Sequence, residues 1–399
     1  MGDPGSIPVR QVDRLNRVLA AAWQTEPYRE LYGHDRPVLQ RIEEIRDLPP
    51  LARETLAGVP LDRRVLPGSR PFVESQTSGT TGQPLAFAWS REEAIINRAL
   101  WFRQRDLQER PPDARWLSLA VGFQRREPLT RAGRHALIGA YLPVERLTAA
   151  IHQVRPSVLA GSPSSLLEVS EHVEPPPAGI ETYAEVLAPE LRVRLKELFD
   201  ADPIDVYATG EVGPVAWQCR ERAGYHVNAD AIIVEILDPV GKPLPVGEIG
   251  EVALTALWIT TTPLIRIRVG DMGRMLPGAC PCGCPLPLMS QVEGRTLDWI
   301  LAPDGRRLSP LRFMLGALGS DFGRAVDGFR IVQRAVDDFL LEVIWRNGPV
   351  SGLEQEVASR YSAVLGCRVR VQVTALRELS RSPSGKVQLV KSRVSGIRA

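Results

Sequence analysis

The sequence contains no apolar run of about 18 residues, which excludes a membrane-spanning helix of ordinary length. It has no large excess of one charge either, because 49 Lys and Arg residues face 47 Asp and Glu residues. This balance gives no electrostatic reason to expect nucleic acid or an acidic membrane as a partner. Residues 1–6 lack the apolar core of a signal peptide, so the simplest predicted location is the cytosol.

Cysteine is scarce, with five residues in a chain of 399, and four of the five fall in two short stretches. Cys219 lies close to His226, and residues 280–284 hold three thiols. This grouping favours a metal over a disulfide, and thiolate and imidazole ligands suit tetrahedral zinc. The two thiols of a Cys-x-Cys pair are closer in sequence than those of a Cys-x-x-Cys pair, so the metal signal is weaker. Unliganded thiols in a turn are the alternative. Cys367 lies in a strand pattern and is predicted to be a buried thiol.

A run rich in hydroxyls and glycines, residues 74–84, organises the first third of the chain. It leads into alternating apolar residues at 85–89, which predict a strand. Glycines let backbone N–H groups converge on phosphate oxygens, and Ser and Thr hydroxyls add neutral donors. The run therefore favours a polyanion-binding loop, with a flexible surface turn as the alternative. Ser90 and Glu93 then match a capping box that begins a helix.

Strands alternate with helices over the first 210 residues, which predicts a largely parallel sheet. Residues 9–23 carry the apolar stripe of an amphipathic helix, whereas prolines break residues 35–73 into mostly irregular structure. The other predicted elements are a helix to about residue 107, strands at 116–121, 157–160 and 204–207, a helix from about 165, and a helix in the second half of 185–199.

After residue 224 the alternation of strands and helices gives way to successive strands. Residues 231–237 and 249–257 predict strands around the turn 238–243, as part of a small antiparallel, barrel-like subdomain. From residue 296 the chain is predicted to be a small α+β domain, with strands at 329–336, 339–345 and 368–373, a turn at Asp337-Asp338 and a helix at 352–365. The predicted fold is therefore α/β, with a large domain of residues 1–295 that combines mixed sheets and helices, and a small domain of residues 296–399.

Six segments in order along the chain resemble motifs of the adenylate-forming enzymes, the acyl-CoA synthetase superfamily. They are Ser75–Pro84, Tyr207–Glu211, Gly241–Thr255, Arg266–Asp271, Glu293–Arg295 and Ser384–Lys386. Six matches in the right order are far more specific than any one alone. Residues 211–219, 224–228 and 266–271 look most like the phenylacetate-CoA ligase branch. The resemblance implies that the C-terminal domain is a mobile lid.

The chemistry that the resemblance implies is attack of a carboxylate on the α-phosphorus of ATP, which yields an acyl adenylate and pyrophosphate. Because two anions must meet, the site has to supply positive charge and fixed dipoles. The implied roles are β- and γ-phosphate binding by Thr77, Ser78, Gly79, Thr80, Thr81 and Gly82; adenine contact by Ala184, Glu185, Val186 and Tyr207; α-phosphate contact by Thr209; Mg²⁺ binding by Glu211; ribose binding by Asp271; ribose or phosphate contact by Arg295; and charge stabilisation by Lys386.

Each implied role has an ordinary alternative. Asp271 could simply end a strand, and Glu211 could be an acidic residue at a helix N-terminus. Lys386 could be a solvated lysine, and Arg295 could form a structural ion pair. The family hypothesis is favoured over these alternatives because it requires all the segments together and in order.

Four positions depart from the family pattern. Gln83 stands where the phosphate loop usually has a lysine, so one positive charge is missing. Ala208 and Gly210 replace the usual glycine and Ser or Thr, and Thr209 is predicted to take over the hydroxyl role. Leu297 stands where a hinge aspartate is common. Residues 122–150 match no motif, so the pocket for the acid cannot be assigned.

Some members of the phenylacetate-CoA ligase branch carry a zinc ion. By resemblance its ligands here are Cys219, His226, Cys280 and Cys282, and Cys284 is a spare thiol. Four protein ligands close the site, so the predicted zinc is structural.

The predicted activity is ATP- and Mg²⁺-dependent activation of a small carboxylic acid. By resemblance the acyl group passes to coenzyme A; transfer to a carrier-protein thiol or an amine is the alternative. A degenerate adenylate-binding scaffold is the alternative outside the enzymes, motivated by Gln83, Gly210 and Leu297. Lys386 argues against that scaffold, because a pure binder has no need of it.

Overall fold

The computed structural model describes residues 7–76, 85–106, 113–120, 129–140, 142–293, 300–308, 313, 326–346, 348–380 and 388–394. Its helices are α1 (Ile7–Ala22), α2 (Glu26–Tyr32), α3 (Arg53–Ala57), α4 (Leu61–Arg64), α5 (Arg91–Asp106), α6 (Val144–Val154), α7 (Pro163–Val169), α8 (Pro189–Phe199) and α9 (Leu353–Leu365). Within these ranges no helix has the length and apolar character needed to cross a membrane.

The strands are β1 (Leu51–Ala52), β2 (Val73–Gln76), β3 (Ala86–Trp89), β4 (Trp116–Ala120), β5 (Thr130–Ala132), β6 (His135–Gly139), β7 (Val158–Gly161), β8 (Gly179–Tyr183), β9 (Ile204–Thr209), β10 (Gly213–Gln218), β11 (Tyr225–Val227), β12 (Ile232–Leu237), β13 (Gly250–Ala256), β14 (Ile267–Gly273), β15 (Met275–Leu276), β16 (Leu288–Met289), β17 (Ile300–Leu301), β18 (Arg307–Leu308), β19 (Val326–Ala335), β20 (Asp338–Trp345), β21 (Arg370–Ala375) and β22 (Val390–Ser392). Short 3₁₀ segments lie at Ile42–Asp47 and Ser170–His172.

Residue contacts divide the chain into two compact units. Unit 1 comprises Met1–Arg110 and Val206–Val292, and unit 2 comprises Pro111–Asp205 and Glu293–Ala399. The domain boundary predicted at residue 295 follows motifs rather than contacts, and it stays a prediction.

The N-terminal part of unit 1 contains more regular structure than its prolines predict. α1 confirms the predicted amphipathic helix, and the segment predicted to be mostly irregular contains β1, α3 and α4. Prolines exclude long helices there but leave room for elements of two to five residues. The predicted capping box is also present, since the backbone N of Ser90 donates to Glu93 Oε2 at 2.8 Å and the backbone N of Glu93 donates to Ser90 Oγ at 3.2 Å.

Two further strand groups complete unit 1. The predicted antiparallel part is a sheet of order β1-β14-β13-β12, which β1 joins in parallel to β14. Its turn is held by Asp238, whose Oδ1 accepts hydrogen bonds from the backbone N of Val240 and of Lys242. The second group runs in the order β15-β16-β11-β10-β9, and each neighbouring pair is antiparallel.

Unit 2 contains the predicted parallel strands. They run in the order β8-β7-β4-β6, with β5 antiparallel at the edge. The core between strands and helices is apolar and includes Leu117, Leu147 and Leu195. α7 begins at Pro163, earlier than predicted, because Ser162 caps the helix and proline suits its first turn. The sequence predicted none of β5, β6 and α6.

The C-terminal part of unit 2 is the predicted α+β structure. It has a sheet of order β21-β20-β19-β22, and its core contains the mutually packed rings of Phe313, Phe339 and Tyr361. The turn lies one residue earlier than predicted, because Ala335 pairs with Asp338. Cys367 precedes β21 and is only partly buried, so its predicted place inside a strand is wrong.

Candidate functional site

Two of the predicted nucleotide motifs meet in unit 1. Tyr207 lies on β9 and Asp271 on β14, and the Tyr207 hydroxyl donates a hydrogen bond to Asp271 Oδ2 at 2.8 Å across 64 positions of sequence. Gly270, just before the aspartate, has φ +78°, a conformation that glycine adopts without strain. β9 and β14 belong to different sheets, and this hydrogen bond shows that a predicted adenine contact and the predicted ribose carboxylate lie at one place.

Glu211 lies in the tight turn between β9 and β10, where Thr209 Oγ accepts a hydrogen bond from the backbone N of Val212 at 3.4 Å. The alternative that Glu211 begins a helix is therefore wrong. Its side chain is buried and pairs with Arg53, with Nε 2.9 Å from Oε1. Among the residues that the structure describes, Arg53 is the one that hydrogen-bonds Glu211. Sequence patterns did not identify Arg53, because it begins a helix of five residues in a segment broken by prolines.

In unit 2 the predicted adenine segment is held from both sides. The Tyr183 hydroxyl donates to the carbonyl of Leu119 at 3.1 Å. The Glu185 carboxylate accepts hydrogen bonds from Ser164 Oγ at 2.8 Å and from its backbone N at 3.2 Å. Between them Ala184 has φ +71°, which is uncommon for a residue with a Cβ and persists where surrounding contacts enforce it.

Several predicted site residues lie outside the described residues: Thr77, Ser78, Gly79, Thr80, Thr81, Gly82, Gln83, Arg295, Leu297 and Lys386. Both described ends of the stretch that contains Lys386 contact Arg330. Arg330 Nη2 donates to the Ser380 carbonyl at 2.7 Å, and Nε donates to the Gln388 carbonyl at 2.9 Å. Glu342 pairs with the same guanidinium at 3.2 Å.

The Gly241–Thr255 motif and the start of the Arg266–Asp271 motif are explained by packing. A Cβ added to Gly250 would lie 2.4 Å from the carbonyl oxygen of Leu237, so the strands can pair only with glycine there. Thr255 Oγ accepts a hydrogen bond from the backbone N of Arg266 at 2.9 Å. Arg266 is buried and forms a two-point pair with Glu235 at 2.9 and 3.0 Å. These residues stabilise the sheet that carries Asp271.

The four predicted zinc ligands converge in unit 1. Cys219 directly follows β10, and the pairing of β10 with β11 brings it near His226. Cys280 and Cys282 lie in the loop between β15 and β16, and β16 pairs with β11 through His226 and Leu288. One ligand atom from each of the four residues lies within 4.8 Å of all the others.

The spacing of these atoms fits a tetrahedral zinc site. The sulfur atoms of Cys219 and Cys280 are 3.5 Å apart, and Cys282 Sγ is 3.4 Å from His226 Nε2. Metal bonds of about 2.0–2.3 Å at tetrahedral angles give ligand separations of about 3.6–3.8 Å. Burial lowers the pKa of His226, which keeps the imidazole in its neutral, metal-binding form. Burial and the neighbouring thiols raise the pKa of Cys280 to about 12.

Comparisons with known proteins agree with the predicted resemblance. A scan against models of protein families gives no match. Among curated proteins, the chain is 26% identical over 314 residues to the phenylacetate-coenzyme A ligase of Thermus thermophilus and 25% identical over 319 residues to that of Escherichia coli. Each alignment covers 73% of this chain and 71% of the relative.

Among solved structures, the fold is similar to 2-hydroxyisobutyryl-CoA ligase in complex with an acyl-AMP, with a TM-score of 0.81, 23% identity and coverage of 96% of this chain and 88% of that chain. A benzoate CoA ligase from Burkholderia xenovorans matches with a TM-score of 0.57, 16% identity and coverage of 81% and 69%. The fold is that of the adenylate-forming CoA ligases, and the predicted fold class is confirmed. In sequence the chain is similar to phenylacetate-CoA ligases, so the predicted resemblance to that branch is confirmed.

Proposed function

We propose that this chain is an AMP-forming acid–thiol ligase. It activates a small carboxylic acid with ATP, through an acyl adenylate, and then transfers the acyl group to coenzyme A. The observation that carries this proposal is the contact between Tyr207 and Asp271, which joins two nucleotide motifs in the fold of CoA ligases. Coenzyme A is proposed as the acceptor because the relatives in sequence and the neighbours in structure are named as CoA ligases.

Residues of this chain supply most of what adenylation needs. Asp271 accepts hydrogen bonds from the ribose hydroxyls, and Tyr207 holds this carboxylate in place. The hydroxyl of Thr209 contacts the α-phosphate, and the loop of Thr77–Gly82 holds the outer phosphates. Lys386 stabilises charge at the α-phosphate, and Arg295 contacts ribose or phosphate. Ala184–Val186 frame the adenine. The acyl adenylate forms as the carboxylate displaces pyrophosphate, and the thiol of coenzyme A then displaces AMP.

Glu211 would hold Mg²⁺. Its carboxylate suits a hard cation, and Oε2 accepts no hydrogen bond from a described residue. When bound, Mg²⁺ neutralises phosphate charge.

The cysteine cluster would hold one structural zinc ion. Cys219, His226, Cys280 and Cys282 supply three sulfurs and an imidazole, a donor set that zinc prefers, and their spacing fits a tetrahedron. Four protein ligands leave no position for a substrate. Two ligands follow Glu211 by eight and 15 positions, and two follow Asp271 by nine and 11, so the zinc would stabilise the chain beyond both residues.

The test is ATP–pyrophosphate exchange with a panel of small carboxylic acids, followed by trials of the acceptor. We expect exchange with at least one acid and thioester formation with coenzyme A. Exchange with an acid but product only with an amine or a carrier-protein thiol would replace the acceptor. No exchange with any acid, despite ATP binding, would favour the degenerate scaffold. Cell fractionation tests the predicted cytosolic location separately.

Lys386→Ala should slow adenylation by about 10²–10³-fold, because one charge contact is lost in the transition state. Thioester formation from preformed acyl adenylate should change far less, since the α-phosphate is then no longer attacked. Lys391→Ala, a lysine exposed on β22, is the matched control and should leave both half-reactions intact. An equal loss in both half-reactions would contradict a role confined to adenylation.

A further inference from the structure

Arg53 reaches the proposed nucleotide site through the sheet that carries Asp271. β1 runs parallel to β14, with Leu51 opposite Ile267 and Ala52 opposite Arg268. Arg53 is the next residue after β1 and begins α3. The strand pairing thus brings an arginine from the N-terminal segment to the turn that carries Glu211.

The pair of Arg53 and Glu211 is buried, with side chains 9% and 7% exposed. In the structural pair of Glu235 and Arg266, both carboxylate oxygens accept a hydrogen bond. Glu211 instead accepts from Arg53 at Oε1 only, and within the described part of the chain no donor contacts Oε2. Oε2 is not among the buried polar atoms that lack a hydrogen-bond partner, so this oxygen is open to a further ligand.

We propose that Arg53 is a positioning residue that holds Oε1 of Glu211 and thereby presents Oε2 to Mg²⁺. This inference rests on the proposed function, in which Glu211 binds the metal. Arg53 also keeps a permanent positive charge 2.9 Å from the proposed metal-binding carboxylate, in a chain that has Gln83 where the phosphate loop of the family usually has a lysine. The guanidinium cannot lose its proton under ordinary conditions, so the charge is constant.

The expected size of the effect follows from other metal sites. Carboxylates that bind metals are themselves hydrogen-bonded, and loss of such a partner typically weakens metal binding about 10–100-fold. Arg53→Gln should therefore raise the Mg²⁺ concentration for half-maximal pyrophosphate exchange about 10–100-fold. The rate at saturating Mg²⁺ should fall much less. Arg53→Lys keeps the charge but loses the planar fork, so its shift should lie between those of the wild type and the glutamine variant.

The decisive measurement is direct metal binding to the full-length protein. Mn²⁺ serves as the probe, with ATP present and no acid, and electron paramagnetic resonance reports the free ion. Arg53→Gln should weaken Mn²⁺ binding by the same factor as it shifts the Mg²⁺ dependence of exchange. The matched control is Arg103→Gln, which breaks an arginine–aspartate pair with Asp230 elsewhere in unit 1 and should leave the metal dependence unchanged.

A double variant separates positioning from a direct contact with ATP. If Arg53 acts through Glu211, Arg53→Gln should add little to the loss caused by Glu211→Gln. A further tenfold loss in the double variant would overturn the proposal, as would unchanged Mn²⁺ binding in Arg53→Gln. Should Arg53→Gln fail to fold with Glu211 left unpaired, the double variant buries no charge and is compared with Glu211→Gln alone.

Failure of this inference is distinguishable from failure of the proposed function. If Glu211→Gln weakens Mn²⁺ binding and Arg53→Gln does not, the metal role stands and the positioning role is wrong. If the wild type supports no exchange with any acid, the proposed function itself is wrong.

Discussion

Two polar regions of unit 1 differ in how completely the protein satisfies them. In the nucleotide region both carboxylates already have strong partners, since Tyr207 donates to Asp271 and Arg53 pairs with Glu211. In the cysteine cluster the close neighbours of the ligand atoms are other thiols and an imidazole, and thiols are weak hydrogen-bond groups. The first region can keep its geometry without ligand. The second would gain most of its cohesion from the proposed zinc, so we expect metal to contribute to folding.

Of the changes in these two regions, loss of a zinc ligand should have the largest effect on stability. Cys282→Ser should release the proposed zinc and lower the thermal midpoint by several degrees, because a closed tetrahedral site would lack one ligand. The affinity for ATP should also fall, although no group that contacts ATP is removed. Metal analysis and thermal unfolding of protein prepared without chelator measure both effects. Less than near-stoichiometric zinc in the wild type would contradict the metal centre altogether.

Release of zinc should also depend on pH. The metal binds thiolates and a neutral imidazole, so acidification returns protons to the ligands and favours release. We expect bound zinc and the thermal midpoint to fall together as the pH is lowered from about 8 to about 5. Cys282→Ser should show no such coupled fall, because it starts without the metal. A wild-type thermal midpoint that stays constant while zinc dissociates would show that the metal does not stabilise the fold.

Loss of a partner in the nucleotide region should have a smaller effect. Tyr207→Phe removes the hydrogen bond to Asp271 and should raise the KM for ATP about 10-fold, because a hydrogen bond to a charged group contributes about 1.5–3 kcal/mol and only part is expressed in binding. The preference for ATP over 2′-deoxy-ATP should decrease, while thermal stability changes little. In an Asp271→Asn background the same change should add little. Equal losses in both backgrounds would show that Tyr207 acts on the adenine instead.

The same contrast explains what the sequence could predict. The capping box of Ser90 and Glu93 and the turn at Asp238 depend on residue types at short spacing, and the structure has both. The four predicted zinc ligands came from the family resemblance, and their ligand atoms lie together. Arg53 could not be found, because its role depends on a two-residue strand that pairs with β14 more than 200 positions later. β5, β6 and α6 were also missed, since their residues match no motif of the family. Pairing between distant segments is set by the whole fold, so a local sequence pattern cannot predict it.

The residues of the family motifs also fall into two groups, those with structural contacts and those proposed to contact a ligand. Gly250 is explained by the close approach of the Leu237 carbonyl, and Arg266 by its buried pair with Glu235. Their resemblance to family segments is real, but their contacts are structural. Asp271 and Glu211 belong to the same kind of motif, and under the proposed function they contact ribose and Mg²⁺. Sequence similarity identifies the segment, and only the contacts separate the residue that supports a site from the residue that forms it.

The smallest effect is expected for Cys284→Ser, and it tests the ligand assignment most closely. Cys284 lies two residues beyond Cys282 but does not belong to the group of four converging ligand atoms. Its backbone N donates to Cys282 Sγ at 3.4 Å, and a serine keeps that backbone contact. Zinc content should therefore stay near one per chain, and stability should change by about 0.5 kcal/mol or less, as for an ordinary partly exposed position. Metal analysis beside Cys280→Ser decides the matter: if Cys284→Ser releases the metal while Cys280→Ser retains it, the centre exists with Cys284 in place of Cys280.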